Sequence, residues 1–160
     1  MKNIKVFGLN LDPDEREESV FNKLSNTDSN INDPYEIVSG KLKDSNEVKY
    51  TKAGKVDVEP WLVPAPNKED LFMVGVDSIV AFIDADGCRE YASKVKEFIK
   101  EKILPDIPLM IGVDHSGTGG CIEALAEKYG KTNISVVMLD SHFDGIIPTQ
   151  RLKLIQHDIE

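Results

Sequence analysis

The chain has 160 residues, of which 41% are hydrophobic and 29% are charged, and its formal net charge is −9 at pH 7. This length suits one ordinary domain with its own core, and the composition is typical of a soluble globular protein. The negative charge argues against a nucleic-acid partner held by a general basic surface.

Cysteine usage and hydropathy indicate a cytoplasmic protein. The two cysteines lack CxxC spacing, so they imply neither a disulfide framework nor a cysteine zinc site, and a reducing cytosol is the simplest location. The N-terminus lacks the long apolar stretch of a signal peptide. No run approaches the roughly 18 apolar residues of a membrane span, so we expect no membrane partner.

The first half of the chain is predicted to contain strands and one early helix. Residues 4–11 are apolar and β-branched at their start, which predicts a strand, and the acidic, proline-containing residues 12–18 favour the start of a helix. Residues 35–39 predict a second strand. Residues 47–50 and 55–58 alternate polar and apolar side chains around an Ala-Gly pair, which indicates a hairpin.

The second half predicts a β-α-β unit. Residues 71–83 are apolar and could be a strand or a buried helix, whereas residues 91–103 carry apolar side chains at helical spacing. Residues 108–113 and 134–139 are buried-strand patterns, separated by a helix that begins at residues 117–120. Near-continuous apolar strands with a crossover helix imply an α/β fold, in which helices cover both faces of a parallel sheet.

Candidate metal ligands follow the two strands of this unit. His115 comes just after the first strand, and Asp140, His142 and Asp144 come just after the second. Ligands collect beyond the carboxyl ends of parallel strands, and a single crossover should make these strands neighbours. Alternation along an extended segment places Asp140, His142 and Asp144 on one side. Imidazole with several carboxylates suits manganese, and less specifically iron or zinc.

At these residues the chain resembles the ureohydrolase family, which comprises arginases, agmatinases and formiminoglutamases. The family's Gly-Gly-Asp-His-Ser motif is similar to Gly-Val-Asp-His-Ser at residues 112–116, and its Asp-Ala-His-x-Asp motif to Asp-Ser-His-Phe-Asp at residues 140–144. The resemblance is strongest over residues 108–145. It implies an arginase-like three-layer fold and hydrolysis of C–N bonds in guanidino or amidino substrates, with release of urea or a related amide.

The resemblance also implies a role for each candidate ligand. His115 would bind one manganese ion, Asp140 would bridge two, His142 would bind the second and Asp144 the first. Asp114, which precedes His115, would support the site rather than bind metal. Two manganese ions would be present in a complete site, where they lower the pKa of bound water and so provide a nucleophile at neutral pH.

The chain departs from the family pattern at three places. Val113 replaces the second glycine of the first motif, and nothing like the family's later Ser-x-Asp-x-Asp motif follows Gly145. His157 does not match the family's Asn-x-His-Gly context, so no catalytic role is assigned to it. We therefore expect residues 1–160 to be a single domain, the N-terminal half of an arginase-like fold. A second chain or a homo-oligomer would supply the missing aspartates.

The candidate ligands, the glycine cluster and the chain as a whole also have simpler interpretations. His115 alone would be read as a hydrogen-bonded histidine at a strand end, and the glycines of residues 117–120 either bind phosphate or form a tight turn. For the whole chain, the alternative to a manganese-dependent hydrolase is a non-catalytic half-fold that acts as an assembly or interaction module. Half of a parallel sheet would expose an edge and an apolar face to a partner.

Overall fold

A three-stranded parallel sheet forms the centre of the fold. The structure is a computed structural model that describes residues 2–26 and 33–140. The strands are β1 (Lys2–Leu9), β2 (Val48–Lys55) and β3 (Ile107–Gly112), in the spatial order β2-β1-β3. In the register of the sheet, Ile4 of β1 lies opposite Tyr50 on one side and Ile107 on the other. The three carboxyl ends therefore lie at one edge of the sheet.

Helices connect the strands. The helices are α1 (Glu17–Ser25), α2 (Pro34–Ser39), α3 (Val76–Asp84), α4 (Gly87–Phe98) and α5 (Thr118–Tyr129). One turn of π-helix at Ile99–Ile103 extends α4, and short 3₁₀ turns occur at Pro60–Leu62, Lys68–Met73 and Lys131–Asn133. Across the two described ranges, no helix has the length and apolarity needed to cross a membrane.

Both faces of the sheet are covered, as the alternating side chains of β1 show. On one face, α2 lies so close to Gly8 that a Cβ there would come within 2.8 Å of the Tyr35 side chain. On the other face, the ring of Phe7 lies 5.8 Å from that of Phe98, and Leu9 is buried in the same core. The predicted α/β class, a parallel sheet with helices on both faces, is confirmed.

Helix α5 packs closely against α4 near the start of α5. A Cβ added at Gly120 would overlap the backbone carbonyl of Ala92, whereas a Cβ at Gly119 would meet nothing within 4 Å. Further along the pair, Lys100 Nζ lies 2.8 Å from Glu127 Oε2. The two helices thus meet backbone to backbone at one end and through an ion pair at the other.

Several predicted elements are confirmed with shifted ends. The first strand ends at Leu9, and the helix predicted after it begins only at Glu17. Residues 91–103 are helical as predicted, and the ambiguous residues 71–83 contain α3 rather than a strand. The helix predicted after the glycine cluster is α5.

The second strand predicted at residues 35–39 is wrong, because this segment is helix α2. The side chain of Asp33 accepts a hydrogen bond from the backbone N–H of Tyr35 at 2.8 Å, and Pro34 occupies the first helical turn. An aspartate cap followed by proline is a strong helix start. It outweighs the β-branched residues that follow.

The hairpin predicted around residues 47–58 is also wrong. Residues 48–50 of the first proposed arm and Lys55 of the second belong to one strand, β2, which runs parallel to β1. Gly54 has φ of 97°, a left-handed conformation that glycine adopts without strain. It lies where the β1–β2 register shifts between Val6 and Phe7. The glycine therefore accommodates a bulge rather than a turn.

The strand predicted at residues 134–139 is not formed in the described structure. Ile134 has an extended backbone, with φ of −115° and ψ of 145°, but residues 134–139 join no ladder of the sheet. Val137 and Leu139 are 88% and 95% exposed. A strand-type sequence forms a strand only when its apolar side chains find a face to cover, and these two side chains have not found one.

We predict that Gly120→Ala lowers the free energy of unfolding by about 1–3 kcal/mol, because the new methyl group must displace the α4 backbone. The matched variant Gly119→Ala has free space and a better helix former, so it should be neutral or stabilising by up to about 1 kcal/mol. Urea denaturation of both variants measures the difference. Equal stabilities for the two would contradict the close approach of α4 and α5.

Candidate functional site

Polar residues gather where β1 and β3 end. These strands are neighbours, and the chain leaves β1 towards β2 on one side but returns to β3 on the other. Such a reversal of strand order opens a crevice beyond the carboxyl ends, where α/β proteins bind ligands. Asp12 follows β1 into this region, and Asp114 and His115 follow β3.

The structure brings together two of the four predicted metal ligands. His115 Nε2 lies 2.6 Å from Asp140 Oδ2, although the residues are 25 positions apart in the chain. The side chains are 40% and 19% exposed, respectively, so the pair is reachable from solvent. His142 and Asp144 lie outside the described residues. Within residues 2–26 and 33–140, no three His, Cys, Asp or Glu side chains cluster as a metal site.

The contacts of the His115 ring are compatible with metal binding. Thr118 Oγ1 lies 3.5 Å from Nδ1, on the opposite side of the ring from Asp140. If the hydroxyl donates to Nδ1, the Nε2–H donates to Asp140. With a metal on Nε2, Nδ1 carries the proton and donates to Thr118, the arrangement that usually orients a metal-bound histidine.

The donor set fits a divalent cation. Imidazole nitrogen with carboxylate oxygen is a combination that manganese, iron and zinc accept. His115 Nε2 and Asp140 Oδ2, 2.6 Å apart, would hold such an ion if they moved apart to admit it.

Asp114 holds the loop that carries His115. Its Oδ1 accepts a hydrogen bond from the backbone N–H of Ser116 at 3.0 Å, and its Oδ2 accepts from the Ser116 hydroxyl. Burial raises the pKa of the Asp114 carboxyl, although the hydrogen bonds from Ser116 act in the opposite direction. The carboxylate thus closes a tight turn around His115.

Sequence reasoning missed several residues near this site. Lys23 is only 2% exposed, and its ammonium lies 3.4 Å from Asp12 Oδ1 and donates to the Asp12 carbonyl. Burial raises the pKa of the Tyr91 hydroxyl, which lies near the backbone after β1, and that of the Cys88 thiol, which is close to Ser116. The rule that polar residues after a strand end mark a site was used for β3; used for β1 as well, it would have found Asp12. The pattern of an amphipathic helix gives no signal for a buried Lys23.

A cavity of about 460 Å³ runs beside β3 and reaches the His115–Asp140 pair. Its walls come from β3, α5 and residues 134–140, and they are mostly apolar. Apolar wall residues include Leu109, Ile122, Leu125, Val136 and Met138. The cavity therefore lies between β3 and residues 134–139, which were predicted to form a neighbouring strand.

Comparison with known proteins decides the family. The model of the Arginase family matches residues 21–156. The chain belongs to the arginase family. The matched range includes both motifs, at residues 112–116 and 140–144, so the resemblance drawn from them is confirmed. No curated protein and no solved structure matches the chain.

The family match does not cover β1, but the structure shows where this strand lies. The match begins at residue 21 and leaves out β1. The structure nevertheless places β1 between β2 and β3, with parallel pairing on both sides. A ureohydrolase-type α/β fold thus includes the first strand, whose carboxyl end forms one wall of the crevice.

We predict that Asp114→Ala loosens the His115 loop, because the half-buried Ser116 N–H loses its acceptor; loss of one such hydrogen bond costs about 0.5–1.5 kcal/mol. Asp114→Asn keeps an acceptor oxygen and serves as the matched control. Hydrogen exchange at the Ser116 amide, measured with urea denaturation, should show faster exchange and lower stability for the alanine variant only. Unchanged exchange in Asp114→Ala would show that another group holds the turn.

Proposed function

We propose that this arginase-family chain binds manganese and acts in the hydrolysis of C–N bonds in guanidino or amidino compounds, as arginases and agmatinases do. The observation that carries the proposal is the 2.6 Å approach of His115 Nε2 to Asp140 Oδ2 beyond the end of β3. The two residues come from separate motifs of the family. Their convergence at the carboxyl edge of the sheet supports a shared ion.

His115 and Asp140 would hold the first of two manganese ions. Asp140 would also bridge to the second, with Asp144 added to the first ion and His142 to the second. Bound manganese would lower the pKa of a coordinated water and so supply a nucleophile at neutral pH. A complete two-manganese site would need further ligands besides these four, and a second chain or another copy of this one would be able to supply them.

Other features of the chain would orient the metal ligand His115 and attract the cation and the substrate. The Asp114–Ser116 turn fixes the backbone on both sides of His115, which limits the orientations of the imidazole. The net charge of −9 favours approach of both a divalent cation and a guanidinium substrate. We place the reaction in the cytoplasm, with a small guanidino-type molecule as the partner and without nucleic acid or membrane.

A second candidate function is a non-catalytic assembly module. Its support is the apolar surface of residues 134–139, where Val137 and Leu139 are largely exposed. A partner chain could cover this surface without any metal chemistry. Metal binding separates the two candidates, because a module of this kind needs no manganese.

Titration calorimetry with Mn²⁺ tests the proposal directly. We expect His115→Ala and Asp140→Asn each to weaken binding by at least about tenfold, since each removes a ligand and even supporting residues contribute 10–100-fold. Asp106→Asn is the matched control, because Asp106 lines the same cavity but pairs with Lys5, 3.3 Å away. Its affinity should equal that of the unmodified chain.

An assay of enzymatic turnover completes the test of the proposed function. With Mn²⁺ and a chain that supplies the missing ligands, urea should be released from arginine, agmatine or a related guanidino compound, and chelation should abolish the release. Absence of Mn²⁺ binding at His115 and Asp140, together with absence of turnover, would overturn the enzyme proposal. The assembly module would then be the better account.

A further inference from the structure

We infer that the outer side of helix α3 is a docking surface for a basic amphipathic helix of a partner protein. The α3 surface consists of an apolar stripe and the acidic border beside it, which are Val76, Val80 and Ile83 for the stripe and Asp77 and Asp84 for the border. The cavity beside β3 is lined by other residues, between positions 105 and 140. The inference therefore stands apart from the proposed function and requires no metal ion.

Helix α3 is apolar on more sides than the core covers. Six of its nine residues are apolar, which is why the sequence of residues 71–83 suits a strand or a buried helix. Towards the core, Ile79 is fully buried and the ring of Phe82 lies 6.3 Å from that of Trp61. A helix that is apolar over so wide an arc is normally covered on a second side as well.

The side of α3 that faces solvent carries the apolar stripe. Val76, Val80 and Ile83 recur at the i, i+4, i+7 spacing of one helix face, and Val80 and Ile83 are each 37% exposed. Phe72 and Met73, just before the helix, are 84% and 38% exposed. Neighbouring apolar side chains that are exposed together mark interaction sites, whereas single ones need no explanation.

The acidic border runs along one side of the stripe. Asp77 and Asp84 are seven residues apart and so lie nearly in line along the helix axis, and Asp84 follows Val80 by the four residues that make helical side chains neighbours. Helix α3 contains no Lys or Arg, so the charge of this border is purely negative. A partner helix whose own apolar stripe is flanked by Lys or Arg would complement both parts of the surface.

The same charges disfavour the other possible occupants. A second copy of the chain would also carry a net charge of −9, and an antiparallel two-fold pairing of α3 with itself would place both acidic borders on the same side. Nucleic acid and anionic lipid surfaces are repelled by the border as well. A basic polypeptide helix is therefore the occupant that the surface fits.

Binding of a synthetic probe helix to the full chain, followed by fluorescence anisotropy without Mn²⁺, tests the inference. The probe is a labelled peptide of about 18 Leu and Lys residues with Leu at helical spacing, long enough to form a helix. A scrambled peptide of the same composition keeps the charge but loses the stripe, so it should bind at least about tenfold more weakly.

Substitutions in the apolar stripe should weaken binding of the probe. We expect the double variant Val80→Ser, Ile83→Ser to lower the affinity at least about tenfold, because both side chains would be covered by the probe. Phe21→Ser is the matched control, since Phe21 is 67% exposed but lies on α1. It should bind the probe as the unmodified chain does.

Substitutions in the acidic border should change the salt dependence of binding. The double variant Asp77→Asn, Asp84→Asn should bind the probe about threefold to tenfold more weakly at low ionic strength and respond less to added salt. The double variant Glu47→Gln, Asp57→Asn removes the same net charge from exposed positions elsewhere. It should retain the affinity of the unmodified chain.

Four outcomes would overturn the inference. They are equal affinities for the patterned and scrambled peptides, an equal loss in Phe21→Ser and in the Val80–Ile83 variant, self-association in sedimentation that depends on Val80 and Ile83, and binding to phosphatidylserine vesicles that depends on them. The third would assign the α3 surface to a second copy of the chain, and the fourth to a membrane. Because the assays contain no Mn²⁺, failure of the metal site would leave these results unchanged.

Discussion

The parallel pairing of β1 on both of its sides is the constraint on which the rest of the structure depends. Val6, Phe7 and Leu9 are each at most 1% exposed, and Gly8 admits α2 to within contact of the backbone. With β2 on one side of β1 and β3 on the other, the crevice beyond the carboxyl ends must open between β1 and β3. His115 reaches that crevice because β3 is held in register by β1.

The features of the fold that could be predicted are those set by long, regular patterns. The helix over residues 91–103 and the crossover helix α5 follow from apolar spacing alone. The parallel sheet was predicted from β3 and residues 134–139, whereas the observed parallel pairs join β1 to β2 and to β3. The errors arose where a local interaction outweighed the pattern. The Asp33 side chain caps α2 in a segment that looks like a strand, and Gly54 accommodates a bulge where a turn was expected.

The site was predictable as far as chain order and strand ends define it. Polar residues after two buried strands predict convergence, and the 2.6 Å contact between His115 and Asp140 shows it. The roles of His142 and Asp144 stay predictions. Lys23 could not be found from sequence, because its burial against Asp12 depends on how α1 meets the end of β1. The cavity beside β3 could not be predicted from the sequence either, because it depends on how the elements pack together.

The most direct test of the account is a crystal structure of the chain grown or soaked with Mn²⁺, with anomalous scattering used to locate the metal. The account predicts an anomalous peak roughly 2.0–2.3 Å from both His115 Nε2 and Asp140 Oδ2, with the present direct contact between those atoms replaced by the ion. A structure at saturating Mn²⁺ in which His115 and Asp140 still contact each other directly, with the metal elsewhere or absent, would contradict it.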